Sequence, residues 1–224
     1  MTTSDPKEKL LDAALSYVVF DGWSETTFKA AIAESGVSDV LAQAVCPRGA
    51  VDLAVAYHKR GDAAMLARFE TEDVSELRYS EKVAALVRFR LEAVEDKETV
   101  RRGSALFALP QYAGTGAELI WGTCDAIWTA LGDTSEDFNW YTKRATLSGV
   151  YGSTVLYWLG DVSEDSQATW EFLDRRIENV MQFEKAKAQF KASPMGKLMQ
   201  GPLSALERIK KPGPRGDMPG SWRG

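Results

Sequence analysis

The feature that most constrains the fold is a proline-free segment, residues 136–159, in which large apolar side chains recur at helical spacing. At about 100° per residue they form one stripe, with small residues roughly opposite. The large stripe is Leu147, Val150, Tyr151, Thr154 and Trp158, and the small one is Ala145, Gly149, Gly152 and Ser153. Both faces must be covered by other parts of the protein, so the segment is predicted to be the central helix of a bundle. The pattern leaves open whether the small face admits a neighbouring helix or a ligand.

Start signals for helices occur along most of the chain. Asp5, Ser24 and Ser38 each precede an apolar helical pattern in the first 45 residues. Ser80 is placed to begin a helix over residues 81–95, and Thr134 with Asp137 forms a capping-box pattern that predicts a helix start near residue 136. No alternating strand pattern competes with these signals. The sequence therefore predicts an all-α fold of about nine or ten helices.

Composition and charge define the class of protein. The chain has 224 residues, of which 45% are hydrophobic and 26% charged, as in a folded globular protein. Two cysteines without a paired spacing favour a reducing compartment. The first residues lack the pattern of a secretory or organellar signal, and no stretch reaches the roughly 20 apolar residues of a spanning helix. We expect a cytoplasmic protein.

The first 60 residues resemble one family of DNA-binding units. A helix from Leu10, the pair Gly22 and Trp23, a turn at residues 36–38, and Cys46 leading into residues 53–57 are similar to the N-terminal helix-turn-helix of TetR-type regulators. The helix that would read DNA carries Asp39 and no cation, and residues 5–60 hold six cations against eight acids. We therefore predict a TetR-like bundle with a degenerate helix-turn-helix that does not bind nucleic acid.

Catalytic and metal-binding patterns are scarce in this sequence. His58 is the only histidine, so we expect no histidine-rich metal site, no Glu-x-x-His di-iron pair and no Ser-His-Asp triad on this chain alone. No phosphate-binding or dinucleotide-binding glycine motif occurs. We expect no metal, no cofactor and no enzymatic activity, and we expect His58 at a helix surface or interface.

The C-terminal end combines apolar periodicity with positive charge. Residues 187–215 contain seven cations and one acid, although the whole chain has a net charge of −5. Apolar residues at three- and four-residue steps predict an amphipathic helix over residues 194–211 that lies on a membrane. They are Met195, Leu198, Met199, Leu203, Leu206 and Ile209. Docking of this helix on protein is the alternative, and residues 212–224 are predicted to form a disordered tail.

An aromatic and cationic signature marks residues 137–144, at the start of the long helix. With Asp125, Trp128, Gly132, Asp133 and the later run Trp170, Phe172, Leu173 and Arg176, it is similar to the ubiquinone-biosynthesis accessory family with a TetR-like fold. The resemblance implies a protein that binds isoprenoid quinone intermediates or phospholipid and presents quinone intermediates to the demethoxyubiquinone hydroxylase. It further implies a hydroxylase-docking surface at Asp125, Asp137, Trp140, Tyr141 and Arg144. The chain looks like a bacterial member, peripheral at the inner membrane.

A water-insoluble quinone requires a dry cavity, and large apolar residues of the central helices are candidates for its lining. Those predicted are Leu86, Phe89, Phe107, Trp121, Cys124, Trp128, Leu147, Tyr151 and Val155.

TetR-type folds dimerise through their last long helices, so a homodimer is expected by analogy. The predicted layout is a helix-turn-helix unit over residues 1–60, a lipid-binding domain over 61–193, and the two C-terminal segments. A transcriptional regulator that senses an apolar ligand is the alternative function.

Overall fold

The computed structural model describes residues 5–192 and places side chains up to residue 182. Within that range the chain forms nine α-helices and a short 3-10 helix, Glu164–Ser166, so the all-α prediction is confirmed. The helices are α1 (Pro6–Asp21), α2 (Glu25–Ser35), α3 (Asp39–Val45), α4 (Ala50–Thr71), α5 (Tyr79–Glu92), α6 (Lys97–Phe107), α7 (Ala113–Ala130), α8 (Phe138–Gly160) and α9 (Gln167–Ala192). The predicted membrane helix and tail lie outside the described residues.

The first three helices begin where their capping residues predict. The side chains of Asp5, Ser24 and Ser38 each accept a hydrogen bond from a backbone N–H of the first helical turn. These bonds satisfy donors that have no partner inside the helix. The starts predicted for α1, α2 and α3 are therefore confirmed.

Two other helix starts were predicted wrongly. α5 begins at Tyr79 instead of after Ser80, because the Glu81 carboxylate accepts the backbone N–H of Arg78 at 2.8 Å and so moves the start two residues upstream. α8 is capped by Asp137, whose Oδ1 accepts the backbone N–H of Asn139 at 2.9 Å, and not by Thr134. In both cases a carboxylate close to the first turn provides the acceptor.

Two apolar clusters share α4. One cluster joins α1, α2, α3 and the first half of α4, where Leu53 is fully buried. The other joins α5, α7, α8 and α9 to the second half of α4, where Met65 is fully buried. The predicted boundary at residue 60 therefore falls inside a continuous helix, and a shift of one cluster against the other has to tilt or bend α4.

α8 has one buried face and one open face. Every residue of the predicted large stripe is buried, as expected. The opposite face is uncovered within residues 5–182: a Cβ atom placed on Gly149 or Gly152 would meet nothing within 4 Å, and Leu156 is 69% exposed. Among these residues the small-residue face therefore lacks the cover that the pattern predicts, because α7 and α9 contact α8 from the large-residue side.

The C-terminal end of α8 is held by cations from α6. Lys97 Nζ donates to the carbonyl oxygens of Trp158 and Asp161 at 3.1 and 3.0 Å, and Arg101 Nη2 donates to the Leu159 carbonyl at 2.7 Å. The last carbonyls of a helix lack internal partners and carry partial negative charge, so cations stabilise them. These hydrogen bonds fix α6 against the C-terminal end of α8, and both helices contribute to the wall of the cavity described below.

A buried ion pair joins α4 to α5. Arg90 is 4% exposed; its Nε donates to Asp62 Oδ1 at 2.7 Å and its Nη2 to the carbonyl of His58 at 3.0 Å. The guanidinium lies against Gly61, where a side chain would collide with it. A buried charge is tolerated only when it is paired and hydrogen-bonded, so Asp62 and the His58 carbonyl allow Arg90 to occupy the interior.

Thr123 of α7 extends this network to a third helix. Its hydroxyl has one hydrogen, for which Asp62 Oδ1 at 2.9 Å and the Leu119 carbonyl at 3.2 Å are both acceptors, so it accepts at 2.8 Å from His58 Nε2. That arrangement assigns the neutral tautomer with the proton on Nε2. Burial lowers the pKa of His58 from 6.5 to about 4, although Asp62 opposes the change.

In the described part of the chain, no helix has the length and hydropathy needed to cross a membrane.

A Gly61→Ala substitution tests whether the Arg90 guanidinium is held against α4. We expect the new methyl group to displace a buried, paired guanidinium and to lower the free energy of unfolding by about 1–3 kcal/mol. The matched control is Gly122→Ala in α7, where a Cβ meets nothing within 4 Å and helix propensity should add about 0.5–1 kcal/mol. Urea unfolding measures both values. Equal stability of the two variants would contradict the placement of Arg90.

The lowered pKa of His58 predicts a loss of stability in acid. Between pH 6.5 and 4 the unfolded chain binds a proton that the folded protein does not, so the free energy of unfolding falls as the pH falls through this window. The loss reaches about 3 kcal/mol at pH 4, and His58 contributes nothing above pH 7. We expect His58→Gln, which cannot titrate, to lack this component in urea unfolding at pH 7 and 4. Parallel losses in the two proteins would show that His58 does not titrate as described.

Candidate functional site

A cavity of about 420 Å³ lies between the two apolar clusters. Its wall combines α4 and α6 with the first half of α7 and the middle of α8, so both halves of the predicted layout contribute. The residues that form most of the wall are Trp23, Ala54, Tyr57, His58, Arg90, Leu91, Val94, Thr99, Val100, Gly103, Phe107, Gly116, Leu119, Ile120, Tyr151, Gly152, Val155 and Leu156. The surface is mainly apolar, as is usual for pockets that bind organic ligands.

The cavity has a buried end and an exposed rim. Arg90, Leu91 and Tyr151 at the inner end are each less than 5% exposed. Burial raises the pKa of Tyr151 to about 12, so its hydroxyl stays protonated at any physiological pH. At the outer end, Ala113 is exposed and Leu156 is 69% exposed. A ligand would therefore enter between α6, α7 and the second half of α8.

Three of the nine predicted lining residues belong to this wall: Phe107, Tyr151 and Val155. Leu86, Phe89, Cys124 and Leu147 are instead buried in the larger apolar cluster, where they fill the space between α5, α7 and α8. Burial raises the pKa of Cys124 to about 11, which makes it an unreactive core thiol. Trp121 and Trp128 are half-buried near the start of α8 and also lie outside the wall.

Several wall residues were missed from the sequence, and His58 is one of them. His58 was expected at a helix surface or interface, but its side chain is only 18% exposed and contributes to the cavity wall. A signal existed for Arg90, which occurs at helical spacing with Val83, Leu86 and Val87 and so had to be buried with them. An arginine within an apolar stripe indicates a buried partner for its charge.

An aromatic patch, defined here as Trp121, Trp140 and Tyr141, lies at the start of α8. The rings of Trp121 and Trp140 are 5.8 Å apart, and Tyr141 meets Trp140 edge to face at 4.9 Å. The Arg144 guanidinium lies 4.0 Å from the centre of the Trp140 ring. All three aromatic residues are half-buried, so each keeps part of its surface accessible to solvent.

Arg144 packs against the Trp140 ring of the aromatic patch. It is 2% exposed, and it donates to Asp125 at 2.6 Å, to Asp133 at 3.1 Å and to the carbonyl of Trp140 at 3.1 Å. The prediction that Arg144 is itself a surface contact is wrong, because two carboxylates from α7 and the following loop draw the guanidinium inward. Asp125 and Asp137, also predicted at the docking surface, keep exposed carboxylates.

Asp133 anchors the loop between α7 and α8. Its carboxylate is 2% exposed and accepts from Lys143 at 2.7 Å, from Ser135 at 2.8 Å and from Arg144. Burial alone would raise the pKa of Asp133, but these hydrogen bonds and the Lys143 charge outweigh it and lower the pKa to about 2. Asp133 is therefore ionised at neutral pH and holds the first turns of α8 in place.

The side chains of the described residues offer no cluster of three histidine, cysteine or acidic groups that could hold a metal ion. The carboxylates near the start of α8 have structural partners instead. Asp137 caps the helix, and Asp133 pairs with Lys143 and Arg144.

Comparison with solved structures identifies the fold. The chain is similar to a TetR transcriptional regulator from Nitrosomonas europaea, with a TM-score of 0.63 and 20% sequence identity. The match covers 78% of this chain and 97% of the regulator. At this identity the similarity establishes a TetR-like bundle and nothing about activity.

Sequence comparison identifies the family. The COQ9 family profile matches residues 113–184, which include α7, α8 and the start of α9. The rat mitochondrial ubiquinone biosynthesis protein COQ9 is 30% identical over 213 residues, covering 91% of this chain and 67% of the rat protein. The Drosophila melanogaster protein is 31% identical over 193 residues, 82% of this chain and 57% of its own length. COQ9-B of Xenopus laevis is 30% identical, covering 91% of this chain and 72% of that protein. The chain belongs to the COQ9 family of ubiquinone biosynthesis proteins.

Proposed function

We propose that this protein is a lipid-binding accessory protein of ubiquinone biosynthesis. It holds an isoprenoid quinone intermediate in the cavity and presents it to the demethoxyubiquinone hydroxylase, which docks on the aromatic patch. The observation that carries this proposal is that α7 and α8 supply both features. Ile120 contributes to the cavity wall and the next residue, Trp121, belongs to the patch.

The cavity suits a prenylated ring better than a large lipid. An apolar cavity of about 150 Å³ is large enough to bind benzene, so a volume of about 420 Å³ has room for roughly 17 non-hydrogen atoms. That is enough for one substituted ring and the first atoms of a chain. A two-chained phospholipid is several times larger and would remain mostly outside. The open rim beside Leu156 gives the rest of a prenyl chain an exit.

The aromatic patch has the composition of a docking site. Tryptophan, tyrosine and arginine dominate the binding energy of protein interfaces, where a rigid ring supported on one side can insert into a partner's pocket. Trp140 is supported by Trp121 and by the Arg144 guanidinium. Ion pairs to Asp125 and Asp133 fix Arg144, so the ring has little freedom to lose on binding.

The patch and the rim of the cavity lie on the same helix. Trp140 and Leu156 are separated by sixteen residues of α8, a distance of roughly 24 Å along the helix axis at 1.5 Å per residue. A hydroxylase docked on Trp140 would therefore lie within one protein diameter of the rim. A ligand that leaves the cavity past Leu156 would emerge close to the docked enzyme.

The remaining elements of the proposal extend beyond this cavity. The helix predicted over residues 194–211 would hold the protein at the cytoplasmic side of the inner membrane, where quinones partition. The exposed part of α8 around Gly149 would pair with a second copy in a homodimer. The protein itself would perform no chemical step, since the di-iron enzyme is its partner.

A transcriptional regulator is the competing function, and the surface of α3 argues against it. The exposed side chains of this helix include Asp39, Val40 and Gln43, and Val40 is 82% exposed. A helix that enters the major groove needs cations for phosphates and donors for bases, and α3 carries no lysine or arginine.

A Trp140→Ala substitution separates docking from folding. If Trp140 is a docking anchor, its removal should weaken binding of the demethoxyubiquinone hydroxylase from the same organism by ~2 kcal/mol or more, about 30-fold in Kd. Its half-buried position predicts a small change in melting temperature. Surface plasmon resonance and thermal melting measure the two effects.

Phe20→Ala is the matched control, because Phe20 is an aromatic residue of α1 that is 78% exposed. It should change neither the affinity nor the melting temperature. A large drop in melting temperature for Trp140→Ala, with hydroxylase affinity retained by the folded fraction, would place Trp140 in the core instead of the docking surface.

A further inference from the structure

Apart from Tyr57, Thr99 and Ser104, the polar groups of the cavity wall are concentrated at its buried end. His58 on α4, Arg90 on α5 and Tyr151 on α8 meet there, and all three contribute to the wall. Asp62 accepts hydrogen bonds from Arg90 and Thr123, and Thr123 accepts one from His58, in the network that joins α4, α5 and α7. The rim, by contrast, is formed by alanines and Leu156. The cavity is therefore amphipathic along its length, with its hydrogen-bonding end innermost.

The charges at this end cancel. Arg90 is the cation and Asp62, paired with it at 2.7 Å, is the anion. His58 is neutral above pH 5 because burial lowers its pKa to about 4, and the Tyr151 hydroxyl remains protonated. Tyr57, whose pKa is also raised by burial, adds no charge. A phosphate or carboxylate brought here would be a buried charge without a counter-charge, which is strongly unfavourable.

The side walls next to this end are aromatic. Trp23 and Tyr57 pack with ring centres 5.8 Å apart, and both face the cavity together with Phe107 and Tyr151. Aromatic walls favour flat, conjugated groups over flexible chains, since rings can stack or meet edge to face. The combination of flat walls and neutral hydrogen-bonding groups suits a planar ring that carries carbonyl or hydroxyl oxygens.

We propose that the cavity binds its ligand with the ring inward, so that the oxygens of a neutral quinone or phenol ring bond to Tyr151 and His58 while the prenyl chain leaves past Leu156. This inference rests on the proposed lipid-binding function and adds the orientation of the ligand, the class of its head group and the residues that recognise it. The Tyr151 hydroxyl donates to a ring oxygen. The unprotonated nitrogen of His58 accepts from a ring hydroxyl.

The test compares two probes that share a chain and differ in the ring. One is a ubiquinone analogue with two isoprene units, and the other is the prenyl alcohol of the same chain length. Quenching of tryptophan fluorescence and calorimetry give their Kd values for the wild-type chain, Tyr151→Phe and Leu156→Ala. Tyr151→Phe removes one oxygen from the buried end, and Leu156→Ala removes apolar surface from the rim.

We expect Tyr151→Phe to weaken binding of the quinone about tenfold and to leave binding of the prenyl alcohol within twofold. Leu156→Ala should weaken both probes to a similar degree. A general disturbance of the fold by Tyr151→Phe would affect both probes equally, so the ratio of the two Kd values reports recognition of the ring. Equal effects on both probes, or no effect on either, would overturn the inward orientation.

Oleate is the third probe and tests the neutrality of the head group. We expect it to bind at least tenfold more weakly than the quinone analogue at pH 7.5, because its carboxylate finds no free cation at the buried end. Oleate binding as tight as that of the quinone would overturn the neutral-head assignment. Failure of the wild-type chain to bind any of the three probes would instead overturn the lipid-binding function on which this inference rests.

Discussion

The ion pair between Arg90 and Asp62 is the interaction on which the rest of the structure depends. Removing either partner would leave an uncompensated charge in the interior, at a cost of several kcal/mol, so α4 and α5 must stay in register. α4 also carries the cores of both halves, with Leu53 in one and Met65 in the other. Fixing α4 against α5 therefore fixes the two halves against each other. The space that they do not fill is the cavity.

The same principle organises the surface around Trp140. Arg144 is buried between Asp125 and Asp133, and its guanidinium forms the floor under the Trp140 ring. Buried charges give orientation more than stability, because a hydrophobic substitute of similar volume often holds a fold equally well. In this protein two such clusters orient the two candidate sites: one forms the polar end of the cavity, and the other supports the aromatic patch. α7 connects them through Thr123 and Asp125, two residues apart.

The sequence predicted the architecture well because the relevant signals are local. Helical spacing in residues 147–158 identified the buried stripe of α8, and Asp5, Ser24 and Ser38 identified three helix starts. The cavity was predicted less well, since apolar periodicity shows that a residue is buried without showing whether it faces a core or a void. Leu86 and Tyr151 have the same burial signal, yet only Tyr151 contributes to the wall. Arg144 was misplaced because its position depends on Asp125, nineteen residues away in another helix.

The most direct test of this account is the identity of what the protein carries. The full-length chain, purified without detergent from cells that make ubiquinone, would be extracted with organic solvent and the extract analysed by mass spectrometry against a sample of a Tyr151→Phe variant prepared in parallel. The account predicts an isoprenoid quinone or its phenolic precursor in the wild-type extract at a substantial fraction of the protein, and less in the variant. An extract that contains only phospholipid, or the same lipids in both samples, would contradict the assignment of the cavity to a prenylated ring.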